Sequence, residues 1–302
     1  MYIHDAASIS PLGLQDGLAI ETNLQIPTNF SAIEPAYTEV LPANLARRMA
    51  KITRMALYCG LQIANRNSEK AIDGIIAATG LGNLADTEKF IQTYLRSQGG
   101  LIPPTSFTQS SHNTIAGQLA LILKNHNYNV TYVQQSFSFE SALRDAQLQL
   151  AGSMQHVLVG AADENIPLLA TIANNLQVDD ALIQQLSEGA AFFLLSSEAS
   201  AVAILDVAIA YEASDIKATV NAFLAKHDLE ASQVFTIKVS ALTHTDFTAD
   251  VDANRLFGRH FTNSAQAIHL AAAHLAKGLV KNVLVVTLDH QQNIALTLLG
   301  AE

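Results

Sequence analysis

The stretch from Asn129 to Glu164, NVTYVQQSFSFESALRDAQLQLAGSMQHVLVGAADE, limits the possible folds more than any other. Its β-branched and aromatic opening, Val130 to Val133, predicts a strand, and Gln134–Gln135–Ser136 follows as a tight turn. Ala142, Leu143, Ala146, Leu148 and Leu150 then supply the apolar side of a helix. Val157 to Gly160 reads as a second buried strand, ending in the acids Asp163 and Glu164. Strand, sharp turn, helix and strand in that order put one side chain at a helix N-terminus, where backbone N–H groups point at whatever binds. Such a tip either activates a nucleophile or holds a polar group in a cleft. The residue expected there is Ser136.

The same alternation runs through the chain. A short strand opens at Tyr2–Ile3 and runs into the Pro/Gly turn of Ile9 to Gly13, with residues 14–40 irregular. Strands are expected at Ile75–Thr79, Ser187–Leu195, Ala201–Ala210, Val234–Val239, Val283–Val286 and Ile294–Leu298. Helices are expected at Leu45–Ala64, from Asp86 or Thr87, and at Ile115–Leu123, Lys217–Lys226 and Asn263–Lys277. Leu101–Thr105 reads as a rigid loop and Asn174–Gln185 as a polar one. Alternation over the whole length means α/β layers. No linker rich in Pro, Gly or Ser divides the 302 residues, so one domain is expected, and a 49% apolar composition gives it a sizeable core.

Composition also excludes functions. A net charge of −10 argues against a nucleic-acid or anionic-membrane surface. Cys59 is the only cysteine and sits in the apolar run MALYCGLQIA, so it reads as packing in a reducing compartment. The first residues lack the basic and apolar regions of a signal peptide, and no apolar run reaches the roughly 18 residues of a membrane span, so the expected location is cytoplasmic. Arg47, Lys51 and Arg54 share one predicted helix face, either solvated or open to an acidic partner.

Three sites fail on their own chemistry. Gly80–Leu–Gly82–Asn–Leu–Ala85 fits a dinucleotide fingerprint, but the acid needed about 20 residues on is missing, since residues 89–139 hold no Asp or Glu. His269 and His274 are five apart, about 140° around a helix, and no HExxH accompanies them, so no metal is expected. The sequence around Ser136, QQSFSF, is not the GxSxG of an α/β hydrolase.

ISPLG, IIAATGLGNLADTEKF, PTSFTQSSHNTIAGQLAL, NVTYVQQSFSFESAL, HVLVGAADE and SEGAAFFLL resemble, in order, segments of the β-ketoacyl synthases of the thiolase superfamily. The match covers roughly residues 1–200 and fades through AFLAKHDLEASQVF and NSAQAIHLAAAHLAKG. SHNTIAGQ with TYV and SFESAL looks more narrowly like the short chain-length-factor-like proteins of aryl-polyene and flexirubin clusters. The resemblance implies a thiolase-like αβαβα layered fold with a trimmed C-terminal half. Its halves would span about 1–200 and 201–302 of a single domain.

The departures bear on mechanism. Counting back from Ala142–Leu143, the family's nucleophilic cysteine falls on Ser136, and a serine without a dedicated base is a poor nucleophile. Where the family has HGTGT, this chain has SALTHTDFT, with His244 displaced. His260 lies near the second histidine position, and Asp289–His–Gln–Gln–Asn293 replaces the glycine-rich gating loop. The resemblance therefore implies a non-catalytic subunit, without cofactor, that pairs with an active ketosynthase acting on acyl carrier protein. Ser136, Phe137 and Phe139 would shape the end of the partner's acyl tunnel. The alternatives are an acyltransferase using Ser136 with His244 or His260, and a binding or scaffolding protein outside lipid synthesis. The resemblance places a dimer interface on Asn129, Val130, Thr131, Tyr132 and Val133, as a hetero-dimer or, for the chain alone, a homodimer. The acid-free stretch 89–139 independently suits a large interface.

Overall fold

The computed structural model describes residues 1–98, 100–240 and 247–302. In chain order the strands are β1 (Tyr2–Ser10), β2 (Gly13–Asp16), β3 (Gly74–Ala78), β4 (Tyr128–Tyr132), β5 (His156–Asp163), β6 (Gly189–Ser196), β7 (Val202–Ala210), β8 (Phe235–Ser240), β9 (Val251–Asp252), β10 (Asn282–Leu288) and β11 (Ile294–Ala301). The helices of the first half are α1 (Ala43–Ala46), α2 (Lys51–Arg66), α3 (Leu84–Ser97), α4 (Pro104–Gln109), α5 (Thr114–Leu123), α6 (Ser138–Ala151), α7 (Pro167–Asn175) and α8 (Asp180–Ile183). The second half contributes α9 (Ile216–Ala225), α10 (Asn254–Phe257) and α11 (Ser264–Ala276).

The strand order β4-β3-β5-β6-β1-β7-β11-β10-β8-β9 contains one pattern twice. In the first half β3 lies parallel to β4 and β5, and β6 and β1 continue antiparallel. In the second half β8 lies parallel to β9 and β10, and β11 and β7 continue antiparallel. Tyr2 opposite Ala203 joins the two half-sheets. β5, β6 and most of β10 are buried along their length with both faces covered, as the unbroken apolar runs VLVGAA, AAFFLL and VLVV within them require.

Three apolar clusters define the layers. Residues of α6 and α11 pack with those of both half-sheets in the central cluster. α2 and α5 cover the outer face of the first half, and α9 covers that of the second. Helix, sheet, helix, sheet, helix is the expected αβαβα arrangement, and its second half is the leaner one. α11 is buried along nearly all its length, which explains its nearly uncharged sequence SAQAIHLAAAHLA.

Several local expectations differ from the structure. The helix expected over Leu45–Ala64 is split: Ala50 is extended (ψ 159°), α2 begins at Lys51, and Arg54 Nη1 holds the break through Met49 O at 2.9 Å. The basic face is thereby divided. Lys51 binds Glu188 and lies 3.6 Å from Glu34, while Arg54 pairs with Glu34 at 3.0 Å, so both serve the fold's own acids. The loop at Leu101–Thr105 leads directly into α4, with Pro104 at its first position, where the missing N–H goes unneeded. Within the polar loop 174–185, Asp179 caps α8 by accepting from Ala181 N at 2.8 Å. β1 runs to Ser10, well past the expected Ile3, because it pairs along most of its length with β6.

Candidate functional site

The candidate elbow lies where β4 ends and α6 begins, while Asp163 ends β5 and His260 lies just before α11. The elbow between β4 and α6 is a single 3₁₀ turn, Gln135–Phe137, that feeds straight into the helix. Ser138 locks it: its hydroxyl donates to Gln135 O and accepts from Gln134 N, both at 2.8 Å. Phe137 N closes the turn on Gln134 O at 3.1 Å.

The tip of this elbow is Gln135, a correction to the expected Ser136. Gln135 is exposed and has φ +50°, a left-handed conformation that costs a non-glycine residue on the order of 1–3 kcal/mol. Ser136 follows at the helix start but is buried, 4% exposed. The turn presents one residue outward, and the next faces back into the protein. A count from Ala142–Leu143 misses this by one, because backbone conformation leaves no mark on a QQS triplet. Phe137 is buried beside Ser136, and Phe139 stacks on Phe193 in the central core with ring centres 5.7 Å apart.

Behind the elbow, Asp163 ends β5 and ties three segments together. Its Oδ1 accepts from Thr79 Oγ1 at 3.0 Å and Gly80 N at 2.8 Å. Its Oδ2 accepts from Thr262 N at 2.9 Å and Thr262 Oγ1 at 2.8 Å, and faces His260 Nδ1 at 3.5 Å. Burial alone would push this carboxyl up, but His260, Thr262 and the Gly80 amide outweigh it and hold it below the usual carboxylate range. The Gly80–Gly82 turn is thus a binding turn for Asp163, and Gly82 takes φ +76° to make it. Glu164 accepts from Ala85 N at 2.8 Å, at the N-terminus of α3, and burial raises its pKa despite that bond.

His260 lies just before α11, buried, on a cavity of about 210 Å³ that it shares with Asp163, Glu164, Ser187 and Arg259. Ser136 does not line that cavity. His244 lies outside the described residues. Asn129 to Tyr132 lie on β4, which among the described residues pairs only with β3 and so forms an open sheet edge; Val133 follows it, exposed. Asn129 Nδ2 donates to Ala116 O and Thr131 Oγ1 to Asn113 Oδ1, both at 2.9 Å. The beginning of α11 was unremarkable as sequence, yet it carries Asn263, Ser264 and Gln266 buried. Among the described residues no cluster of His, Cys, Asp and Glu could hold a metal, and no helix is long and apolar enough to cross a membrane.

Two matching half-sheets around buried central helices, with a strand–elbow–helix at the middle, define a thiolase-like protein of the ketosynthase type. The chain belongs to the β-ketoacyl synthase family: the family model for the β-ketoacyl synthase N-terminal domain matches residues 22–247. No curated protein matches it at a significant level. Among solved structures it resembles the ishigamide ketosynthase/chain length factor, at 21% identity and a TM-score of 0.75, over 99% of each chain. It also resembles the ketosynthase ApeO in complex with its chain length factor ApeC from Xenorhabdus doucetiae, at 17% identity and TM-score 0.58, again over 99% of each chain. A third similar structure, AntDE:AntF, is a type II polyketide acyl-carrier protein in complex with its ketosynthase; identity is 13%, TM-score 0.75, and coverage 100% of this chain and 99% of that one. These likenesses are in fold.

Proposed function

We propose that this chain is a non-catalytic, chain-length-factor-like subunit that pairs with an active ketosynthase elongating a polyene or other fatty-acyl chain on acyl carrier protein. The observation that carries the reading is the elbow. Its exposed tip bears the carboxamide of Gln135, which has no nucleophilic lone pair to offer an acyl thioester, and the neighbouring hydroxyl of Ser136 is turned inward. Covalent acyl capture needs a nucleophile where the helix N-terminus points, and an amide there can only hydrogen-bond.

Pairing is supported by the surface beside the elbow. β4 is an open edge, and α3 and α4 bury none of their residues yet carry Ile91, Tyr94, Leu95 and Phe107 exposed. An open strand edge and uncovered apolar helices are both features that want a partner. The absence of any acid over residues 89–139 removes negative charge from this stretch, and interface cores are depleted of charge. Ser136 and Phe137, buried beneath the tip, would then back the partner's acyl tunnel, with Phe139 fixing them from the core.

The test is to purify the chain with and without a co-expressed ketosynthase and to measure mass in solution. The reading expects a one-to-one complex with the ketosynthase and a homodimer without it. A chain that stays monomeric at high concentration and ignores every co-expressed ketosynthase removes the reading in favour of a stand-alone role.

A further inference from the structure

Where β10 meets the elbow, a buried carboxyl ties the two halves of the fold together. Glu140, in the first turn of α6, is 1% exposed, and its Oε1 accepts from Thr287 Oγ1 on β10 at 2.6 Å. Its Oε2 and the Ser264 hydroxyl of α11 have no bonded partner among the described residues. β10 also packs against the turn Gln135–Phe137, just upstream of Glu140. The carboxyl and the turn therefore sit on the same strand.

Among the described residues no cation answers this carboxyl. β3, β6 and β10 carry no charged side chain. Tyr128 and Tyr132 on β4 turn to Asp145, further along α6, which also holds Gln149. Asp163 at the end of β5 is engaged by Thr79, Gly80, Thr262 and His260, and His156 at the far end of β5 faces Lys70 and Glu198. Asp206 on β7 pairs with His227. On α11, His269 is bonded to Ser8 and Gly17 and His274 to Leu270, while Arg144 of α6 is exposed. The groups that act on Glu140 are Thr287, its own amide and Ser264, all uncharged, and burial outweighs them.

A carboxylate without a counter-charge is costly to keep dry, so losing the proton favours any motion that brings water to it. The elbow is the thinnest cover. Gln134 and Gln135 are exposed, and Gln135 holds a left-handed φ of +50° whose strain opening would release. β5, β10 and α11, by contrast, are buried along nearly all their length. We propose that the elbow and the first turn of α6 form a proton-linked latch: the fold closes over protonated Glu140, and loss of that proton frees residues 134–140 from β10 locally, without unfolding the rest. The proposal rests on these contacts and not on the subunit reading.

Hydrogen exchange of the full chain, read by mass spectrometry from pH 5 to 8 and corrected for intrinsic rates, tests it. In the closed latch burial pushes the carboxyl up to about 7, and in the open one it returns to an ordinary 4.5. Protection of residues 134–140 should therefore fall about tenfold per pH unit up to pH 7 and level off above it. These amides should exchange far faster than those of β5, which report global unfolding. Glu140→Gln should make their protection independent of pH. Thr287→Val should lower it at every pH and keep the slope, since the proton still belongs to Glu140. A slope that persists in Glu140→Gln overturns the proposal. So does a slope lost in Thr287→Val, or exchange of residues 134–140 as slow as that of β5.

Discussion

Glu140 gives the sharpest quantitative test of how the centre of this fold is built. It sits in the first turn of α6, 1% exposed. Its Oε1 accepts from Thr287 Oγ1 on β10 at 2.6 Å, and its Oε2 has no partner among the described residues. Burial pushes the carboxyl up to about 7 from an ordinary 4.5, with Thr287, its own backbone amide and Ser264 pulling it only partly back. Below pH 4.5 the group is protonated in both folded and unfolded chains and contributes nothing. As pH rises from 4.5 to 7 the unfolded chain gives up a proton that the fold retains, so stability falls, and above 7 the full penalty stands. The gap from 4.5 to about 7 is worth about 3 kcal/mol. Glu140→Gln keeps the shape and the Thr287 bond and cannot ionise. It should match wild type near pH 4.5 and exceed it by about 3 kcal/mol at pH 8.5, a gain on the order of 5 °C in Tm. Urea and thermal unfolding of both proteins at half-unit pH steps read this directly. Parallel curves across the range, or a variant less stable than wild type at pH 8.5, would refute the reasoning.

Three further outcomes follow from particular contacts. Gly160→Ala on β5 would set a Cβ 2.2 Å from the ring of Phe192 on the neighbouring strand, and should cost about 1–3 kcal/mol in denaturant unfolding; a neutral result would mean the two half-sheet strands slide freely. Among the described residues, Lys51→Ala leaves the buried carboxylate of Glu188 with the Ala32 and Asn165 amides, and should destabilise by about 1–3 kcal/mol, with Glu188→Gln restoring part of the loss. Thr131→Asp, on the open edge of β4, should split the proposed dimer in size-exclusion with light scattering while leaving the monomer folded, since an unpaired charge buried in an interface costs several kcal/mol.

Much of the fold was legible because the apolar runs are unambiguous. VLVGAA, AAFFLL and VLVV could only be strands covered on both faces, and the strand–turn–helix of 129–164 stands where it was expected. What the sequence hid depends on conformation. A left-handed φ at Gln135 leaves no compositional mark, so the elbow was read one residue late. The break at Ala50 is equally silent, since RRMAK has good helix propensity and yields to tertiary contacts of Arg54 and Lys51. At the site, Asp163 stood out as a strand-end acid, but its four donors come from residues 79, 80 and 262, far apart in the chain. That Ser187 and His260 line one cavity depends on the isolated bridge of Leu186 and Arg259, which brings their distant segments together.

The central claim is that the elbow cannot carry an acyl group, and intact-mass spectrometry tests it most directly. The chain is incubated with acyl- and malonyl-loaded carrier protein, alone and with a ketosynthase partner, and each subunit is weighed. The account expects no acyl adduct on this chain in either case, and an adduct on the partner alone. A stoichiometric adduct on this chain that disappears in Ser136→Ala would contradict it, and would make the buried serine a nucleophile after all.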